Sequence, residues 1–170
     1  IREGIDRMEG EVQMRVYVTG GDVFADGIFP HPRYFIIFEP LEKAPKEDYV
    51  NGVALHPIDM ERPFPHIKSI FYLPAYIGRR QDKDAMEERV LDGVMRQIVI
   101  KLAREAGLAV EMRCPLLSEV PMAQEAFITG SIKEILPIRR IGSQRISQVN
   151  GPISQYLQHL YAQRIEDYLE

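Results

Sequence analysis

Cysteine and tryptophan are almost absent: the 170 residues include one cysteine and no tryptophan. Cys114 by itself can form neither an intramolecular disulfide nor a zinc site built from cysteines. The four histidines, at positions 31, 56, 66 and 159, show no metal-ligand spacing with one another or with nearby carboxylates. We therefore expect no structural metal.

Long apolar runs and an excess of positive charge are also missing. No apolar run approaches the ~18 residues that a bilayer-spanning helix needs, and residues 1–6 (IREGID) do not resemble a signal peptide. The net charge of −4 and the pI near 5.6 predict no electrostatic attraction to nucleic acid or to an anionic membrane. We expect a soluble, cytoplasmic protein with one domain, or one domain and a fragment of another.

The first clear pattern is the period-two alternation of residues 12–19 (VQMRVYVT). It places Met14, Val16 and Val18 on one face and Arg15 and Tyr17 on the other, which predicts a half-buried strand. After a loop with two prolines, the apolar run at residues 34–38 (YFIIF) predicts a strand that is covered on both faces and ends at a proline.

A charged, proline-bearing stretch at residues 41–48 is typical of an interdomain connection. We place the domain boundary there, so that residues 1–44 belong to one domain and residues 45–170 to the next. Residues 50–55 are predicted to form the first strand of the second domain. The two strands before the boundary are too few for an independent sheet, so residues 1–44 are expected to be the end of a larger domain.

The strongest helical pattern begins after Gly93 and ends at Gly107. Its apolar positions recur at helical spacing and are Met95, Ile98, Val99, Leu102, Ala103 and Ala106. A helix start preceded by glycine offers backbone N–H groups and the positive end of the helix dipole to an anion. The alternative is an ordinary helix start that holds water or a capping side chain.

The C-terminal third is predicted to contain strands at residues 109–112, 125–129 and 135–141. A short helix capped by Ser118 is expected near residues 116–120. Asn150 and Gly151 precede the last helix, and its predicted buried stripe is Ile153, Leu157, Leu160, Tyr161, Ile165 and Tyr168.

Lys68 stands in the apolar run of residues 67–73 (IKSIFYL), after several prolines. An amine that apolar neighbours desolvate loses proton affinity and can become a nucleophile toward a carbonyl. The alternative is a lysine whose stem packs on the core while its ammonium group reaches water.

Three segments in order resemble one enzyme family, the class IV (fold-type IV) pyridoxal-phosphate aminotransferases, which include branched-chain and D-amino-acid aminotransferases and aminodeoxychorismate lyase. They are residues 67–73, residues 91–96 (LDGVMR) and residues 125–138 (EAFITGSIKEILPI). The resemblance implies an α/β (α+β) fold. It implies that residues 1–44 end a small N-terminal α+β domain and that residues 45–170 form a larger, cofactor-binding α/β pseudo-barrel domain.

The resemblance also implies roles for individual residues. Lys68 is expected to hold pyridoxal 5'-phosphate as a Schiff base and to act as the catalytic base. Tyr72 is expected to form a hydrogen bond with the phenolic oxygen of the cofactor. The alternative for Tyr72 is a core aromatic residue. The residues expected at the cofactor phosphate are Gly93, Val94, Met95, Ser131 and Ile132. Those expected near the substrate are Arg15, Thr129 and Gly130, and for Arg15 the alternative is a solvated surface arginine.

The implied activity is transfer of an amino group between an amino acid, branched-chain favoured, and a 2-oxo acid by a homodimer. Aminodeoxychorismate lyase and a non-catalytic relative remain alternatives. The family commonly has threonine where Met95 stands, so the turn would lose one hydroxyl donor. Methionine followed by Arg96 also resembles the lyase branch.

Two parts of the family pattern have no counterpart in this sequence: the N-terminal sheet and the segment whose glutamate pairs with the pyridine nitrogen. Glu87 and Glu88 lie near the second gap but lack the matching context, so neither is assigned that role. We expect the sequence to be incomplete, with a segment missing near residues 78–90.

Overall fold

A computed structural model describes residues 2–21, 30–57, 85–86, 93–113 and 115–169. The chain divides into two compact units, Ile1–Lys43 and Ala44–Glu170. The division falls within the charged stretch at residues 41–48. That the units are parts of two enzyme domains stays a prediction.

The first unit contains a short helix, α1 (Arg2–Ile5), and two strands, β1 (Val12–Thr19) and β2 (Arg33–Pro40). The strands pair antiparallel along their full length. The strand predicted at residues 12–19 is confirmed, but its predicted half-burial is wrong, because Met14, Val16 and Val18 are 46%, 55% and 74% exposed. The second strand is longer than predicted and includes Pro40, which is tolerated because a proline can end a strand at a sheet edge.

The expected coverage of the second strand on both faces is wrong. Tyr34 is 76% exposed and Phe35 is 47% exposed, and in the described part of this unit β2 pairs with β1 alone. The Phe35 ring stacks on Tyr17 with 4.9 Å between ring centroids. A continuous apolar run predicts the strand correctly, but it does not tell which elements are available to cover it.

The second unit is a mixed sheet with helices. Its elements are α2 (Lys46–Asn51), β3 (Val53–Pro57), β4 (Ala85–Met86), α3 (Val94–Glu105), a 3₁₀ helix (Leu117–Met122), β5 (Phe127–Gly130), β6 (Glu134–Ile141), β7 (Gln144–Arg145) and α4 (Pro152–Leu169). The strand order is β4-β3-β6-β5, and β7 pairs with β6. β3 runs parallel to β4 and β6, whereas β5 and β7 run antiparallel to β6.

The core of this unit is built on β6. Ile135 and Leu136 are fully buried. Ile135 packs with α3 and α4 in one hydrophobic cluster, whose buried members are Met95, Val99, Leu102, Ala103, Ile135 and Leu157. Farther along the strand, Ile138 packs in a second cluster with Ile141 and Ile146. Burial in two clusters makes β6 the strand around which the unit assembles.

The helix predicted after Gly93 is confirmed as α3. Gly107 has a φ of 77°, its N–H donates to the Arg104 carbonyl, and the Leu108 N–H donates to the Ala103 carbonyl at 2.9 Å. A glycine in the left-handed region can end a helix in this way at little steric cost.

Three local predictions are wrong. Val50 lies in α2, so the strand begins later than expected, at Val53, and residues 109–112 form no strand. The cap of the 3₁₀ helix is not Ser118, because it is the Glu119 carboxylate that accepts the Leu116 N–H at 2.6 Å. Arg113 also donates two 2.8 Å hydrogen bonds to this carboxylate, and these bonds, with that of Leu116, lower the Glu119 pKa.

The last helix has a narrower buried stripe than predicted. Leu157 is buried, but Ile153, Ile165 and Tyr168 are exposed. Ser154, which the apolar pattern did not single out, is completely buried. Within the described ranges, no helix combines the length and the hydrophobicity that a membrane crossing requires.

Gly52, between α2 and β3, is buried in a conformation that only glycine adopts easily, with φ 66° and ψ 158°. A Cβ at this position would lie 2.7 Å from Val149 Cγ1 and 2.9 Å from the Arg139 backbone nitrogen. The absence of a side chain therefore lets β3 approach β6 closely.

Glu125, just before β5, caps the distant helix α4. Its carboxylate accepts the Ile153 N–H at 3.0 Å, the Ser154 N–H at 2.8 Å and the Ser154 hydroxyl at 2.6 Å. Partial burial raises the pKa of Glu125, but the hydrogen bonds from Ser154 and Ile153 outweigh that effect, so its pKa lies below the ordinary value. The carboxylate thus satisfies backbone N–H groups that a helix start leaves without carbonyl partners.

We expect Gly52→Ala to lower the free energy of unfolding by about 2–4 kcal/mol, because the new methyl group adds both backbone strain and a clash. Urea unfolding measures the loss. Gly107→Ala is the matched control: Gly107 also has a positive φ, but no heavy atom in the described part of the chain lies within 4 Å of its Cβ position. Gly107→Ala should lower the free energy of unfolding only by the backbone strain, about 1–2 kcal/mol. Equal losses of stability in the two variants would contradict the role given to crowding at Gly52.

We expect Glu125→Gln to lower the free energy of unfolding by about 1–2 kcal/mol at neutral pH, since a charged cap becomes neutral. The folded-state pKa of Glu125 is depressed, so its stabilisation is complete above the unfolded-state pKa and is lost as the pH falls through the folded-state value. The difference between wild type and variant should therefore shrink below about pH 4.

The control for this comparison is Glu105→Gln. Glu105 forms an exposed 2.7 Å ion pair with Arg164. Replacing Glu105 should change the free energy of unfolding by less than about 0.5 kcal/mol. Denaturant unfolding at acid and neutral pH makes the comparison, and a Glu125→Gln difference that is undiminished in acid would refute the charged cap.

Candidate functional site

Two residues of the predicted site, Lys68 and Tyr72, lie outside the described residues. Glu87 and Glu88, to which no role is assigned, also lie outside them. The expected chain break also falls in this region, where only residues 85–86 are described. The described part of the predicted site consists of two turns in the second unit and Arg15 in the first.

The first turn is the start of α3 at Gly93, Val94 and Met95. The Gln97 N–H donates to the Gly93 carbonyl at 3.1 Å, and no side-chain hydrogen bond caps the helix start among the described residues. The N–H groups of Val94 and Met95 precede the first intrahelical bond, so the helix geometry gives them no carbonyl partner within α3. Together with the helix dipole, these donors suit an anion.

Glycine at position 93 is not explained by its backbone conformation. Gly93 has a φ of −72° and a ψ of 144°, which any residue adopts. The backbone conformation therefore does not require glycine at this position.

The side chains of Val94 and Met95 have opposite surroundings. Val94 is 71% exposed, whereas Met95 is 5% exposed and packs in the cluster with Val99 and Ile135. The Met95 side chain therefore fixes the first turn of α3 to the core. Any contact of Met95 with an anion must come from its backbone N–H.

The second turn, residues 131–133, joins β5 to β6. Gly130 pairs with Glu134 across the base of the turn, and Glu134 has a φ of 52°. A three-residue hairpin loop closed by a left-handed residue is a common geometry. Ser131 is exposed, and among the described residues no heavy atom lies within 4 Å of the position that a Cβ would take at Gly130. The turn thus has open space beside its backbone.

One hydrophobic cluster connects both turns. Thr129 lies opposite Ile135 in the antiparallel register, and opposed residues of antiparallel strands project to the same face. Ile135 packs with Met95 in the first cluster. Thr129 is therefore on the face of the hairpin against which α3 packs.

Sequence reasoning missed two side chains that hold the hairpin. The Tyr49 hydroxyl donates to the Lys133 carbonyl at 3.1 Å, and Gln158 Nε2 donates to the Ile135 carbonyl at 3.0 Å. Both donors also line a cavity of about 230 Å³, whose lining residues are Tyr49, Glu134, Ile135, Gln158 and Tyr161. No pattern in the sequence around Tyr49 indicates its role. The residue follows the charged stretch, and its hydroxyl donates to a carbonyl 84 residues away.

Burial and then the charge of Glu134 raise the pKa of Tyr161, which lines this cavity. The Tyr161 phenol therefore stays protonated at neutral pH and adds no negative charge to the wall of this cavity.

Arg15 lies on β1 in the first unit. Its Nε pairs with Glu39 Oε2 at 2.8 Å, and both side chains are about half exposed. The structure therefore gives Arg15 a partner on the neighbouring strand, on the sheet face that also carries Tyr17. Its predicted place at the substrate entrance stays a prediction.

The donors of the two turns suit a phosphate group. They are backbone N–H groups at a helix start, and the hydroxyl and N–H groups of an exposed turn that has open space beside it. Within the described ranges, no three histidine, aspartate or glutamate side chains are grouped in a way that could hold a metal ion.

Comparison with known proteins identifies the region that holds both turns. Residues 84–141 match the family described as amino-transferase class IV. Aminodeoxychorismate lyase of Bacillus subtilis is 30% identical over 90 residues, which are 53% of this chain and 31% of that protein. The branched-chain-amino-acid aminotransferase of Pseudomonas aeruginosa is 35% identical over 72 residues, which are 42% of this chain and 24% of that protein. The chain thus spans about a quarter to a third of these relatives.

Solved structures extend the likeness to most of the chain. The branched-chain aminotransferase of Thermobaculum terrenum in its PLP form has a TM-score of 0.76 at 22% identity, covering 95% of this chain and 66% of that one. An aminotransferase from Brucella abortus bound to PLP has a TM-score of 0.75 at 20% identity, covering 95% and 72%. The 4-amino-4-deoxychorismate lyase of Pseudomonas aeruginosa has a TM-score of 0.74 at 20% identity, covering 86% and 68%. The likeness establishes the fold-type IV α/β fold, as predicted.

Proposed function

We propose that this chain, whose residues 84–141 match the class IV aminotransferase family, belongs to that family and is part of a pyridoxal-5'-phosphate-dependent aminotransferase. The reaction is the transfer of an amino group between an amino acid and a 2-oxo acid. The observation that carries the proposal is the joining of the Gly93 and Ser131 turns through one hydrophobic cluster, inside the range that matches the family.

In this proposal the two turns bind the cofactor phosphate. The N–H groups of Val94 and Met95, with Gly93 before them, supply the donors and dipole of a helix start. The Ser131 hydroxyl and the N–H groups of Ser131 and Ile132 supply the donors of the second turn. Neutral donors that a rigid core already orients bind a phosphate without first having to be ordered. The burial of Met95 and Ile135 supports that rigidity.

Lys68 and Tyr72 are the residues proposed to act on the reactive part of the cofactor and on the substrate. When bound, the cofactor supplies an electron sink beside the substrate Cα. Lys68 provides the amine that holds the cofactor aldehyde, and it then moves the proton at the substrate Cα. Tyr72 donates a hydrogen bond to the phenolic oxygen and so orients the ring. Both assignments rest on the resemblance of residues 67–73 to the family's lysine segment.

The remaining assignments concern the substrate and the assembly. Thr129 and Gly130 lie beside the substrate carboxylate, where the open space at Gly130 leaves room for it. Arg15 faces the substrate entrance, and its pairing with Glu39 would limit its freedom to reach an anionic substrate. Residues 1–44 and 45–170 belong to the small and large domains of a cytoplasmic homodimer.

A branched-chain amino acid is the favoured substrate, since branched-chain aminotransferases are among both the curated relatives and the solved structures of the same fold. A second candidate is aminodeoxychorismate lyase. The Bacillus subtilis lyase matches 53% of this chain, and methionine followed by Arg96 resembles the lyase branch. The lyase would use the same lysine and turns but would release pyruvate.

We expect the cofactor to be attached to Lys68. Borohydride reduction of the holoprotein, followed by peptide mapping, should place a pyridoxyl group on the peptide that contains Lys68, because reduction makes the bond permanent. Lys101 and Lys133 are internal controls, since Lys101 is exposed on α3 and Lys133 lies in the second turn. An adduct on either of them would remove Lys68 from the proposed chemistry.

We expect the protein that contains this chain to form glutamate from 2-oxoglutarate and a branched-chain amino acid faster than it releases pyruvate from aminodeoxychorismate. Both rates are measured on one preparation with pyridoxal phosphate present, and D-alanine serves as a third donor. Faster pyruvate release would favour the lyase. Bound cofactor with neither reaction would indicate a non-catalytic relative.

A further inference from the structure

The turn of residues 131–133 is held by a group from outside its own hairpin. Tyr49 on α2 reaches the turn from 84 residues away and donates its hydroxyl to the Lys133 carbonyl at 3.1 Å. Lys133 is the last residue of the turn, two positions after Ser131. The contact therefore acts on the backbone that carries the proposed phosphate donors.

The hairpin itself gives this turn limited support. β5 has four residues, and in the described sheet it pairs with β6 alone. Glu134, which closes the turn, is a non-glycine residue with a φ of 52°, a conformation that costs a residue with a side chain some energy.

Packing around Glu134, which closes the turn, is also incomplete. Tyr49, Glu134, Ile135, Gln158 and Tyr161 line a cavity of about 230 Å³. Because side chains that line a cavity have fewer packing contacts, more of the support of the turn falls to hydrogen bonds such as the one from Tyr49.

We propose that Tyr49 is a positioning residue for the phosphate turn, holding the donors of Ser131 and Ile132 in their binding arrangement through Lys133. This inference rests on the proposed function, because it concerns the phosphate of the same cofactor. Tyr49 itself does not touch the phosphate. Its hydroxyl pre-orders the turn, so that binding does not have to pay for ordering it.

The test separates the phosphate from the rest of the cofactor. Dissociation constants of pyridoxal phosphate and of pyridoxal, which lacks the phosphate, are measured for the full-length wild type and for Tyr49→Phe. Loss of one hydrogen bond should weaken pyridoxal phosphate binding about three- to ten-fold. Pyridoxal binding should not change, because the turn has no contact with that ligand.

The matched control is Tyr161→Phe, which removes a hydroxyl from the same cavity on the α4 side. It should leave both dissociation constants unchanged. Thermal unfolding of each variant shows that the protein is folded, and a general loss of stability would weaken both ligands in parallel.

Each possible outcome either supports or overturns the inference. Selective weakening of pyridoxal phosphate by Tyr49→Phe alone supports the inference. Equal changes for both ligands, no change for either, or the same selective loss in Tyr161→Phe would overturn it. A wild type that binds neither ligand would instead overturn the proposed function itself, and the inference with it.

Discussion

Burial of β6 in two clusters is the constraint on which the second unit depends. Ile135 is buried against α3 and α4, and Ile138 is buried in the other cluster. A strand with this much buried apolar surface must be covered on both faces, which fixes where the helices pack and which strands pair with it. Gly52 is part of the same constraint, because β3 reaches β6 only where no side chain intervenes.

That constraint also explains why the candidate site has both rigid and open parts. The first turn of α3 is tied to β6 by Met95, while its neighbour Val94 is exposed. The hairpin turn ends just before the buried part of β6 begins, so Ser131 is exposed a few residues before fully buried Ile135. Ligand-binding groups on exposed turns next to a fixed core are well suited to binding without large rearrangement.

Local pattern was enough to predict the elements with strong periodicity. The strand β1, the helix α3 with its Gly107 end, and β6 follow from alternation, helical spacing and a buried apolar run. Predictions failed where the outcome depends on contacts distant in sequence: the exposure of Tyr34, and the loop at residues 109–112.

The long-range side-chain contacts are the hardest to predict. Glu125 caps a helix 28 residues away, and Tyr49 meets a carbonyl 84 residues away. Neither has a local signature, because a glutamate or a tyrosine at such a position is ordinarily a surface or core residue. The assignment of the two turns to the cofactor phosphate comes from the resemblance of their motifs to those of a family, and it stays a prediction.

The two long helices of the second unit show why α3 is the better place for an external anion. At the start of α4, the Glu125 carboxylate already accepts the N–H groups of Ile153 and Ser154, and fully buried Ser154 leaves no space for another group. At the start of α3, Gly93 provides no side chain, and no cap is seen among the described residues. Because both helix starts carry the same positive dipole end, the difference lies in which one the protein neutralises with its own carboxylate. In α4 the Glu125 carboxylate serves the fold. The proposed phosphate site would use the N–H groups at the start of α3 together with the exposed Ser131 turn, which is followed by Ile135 in the same hydrophobic cluster as Met95.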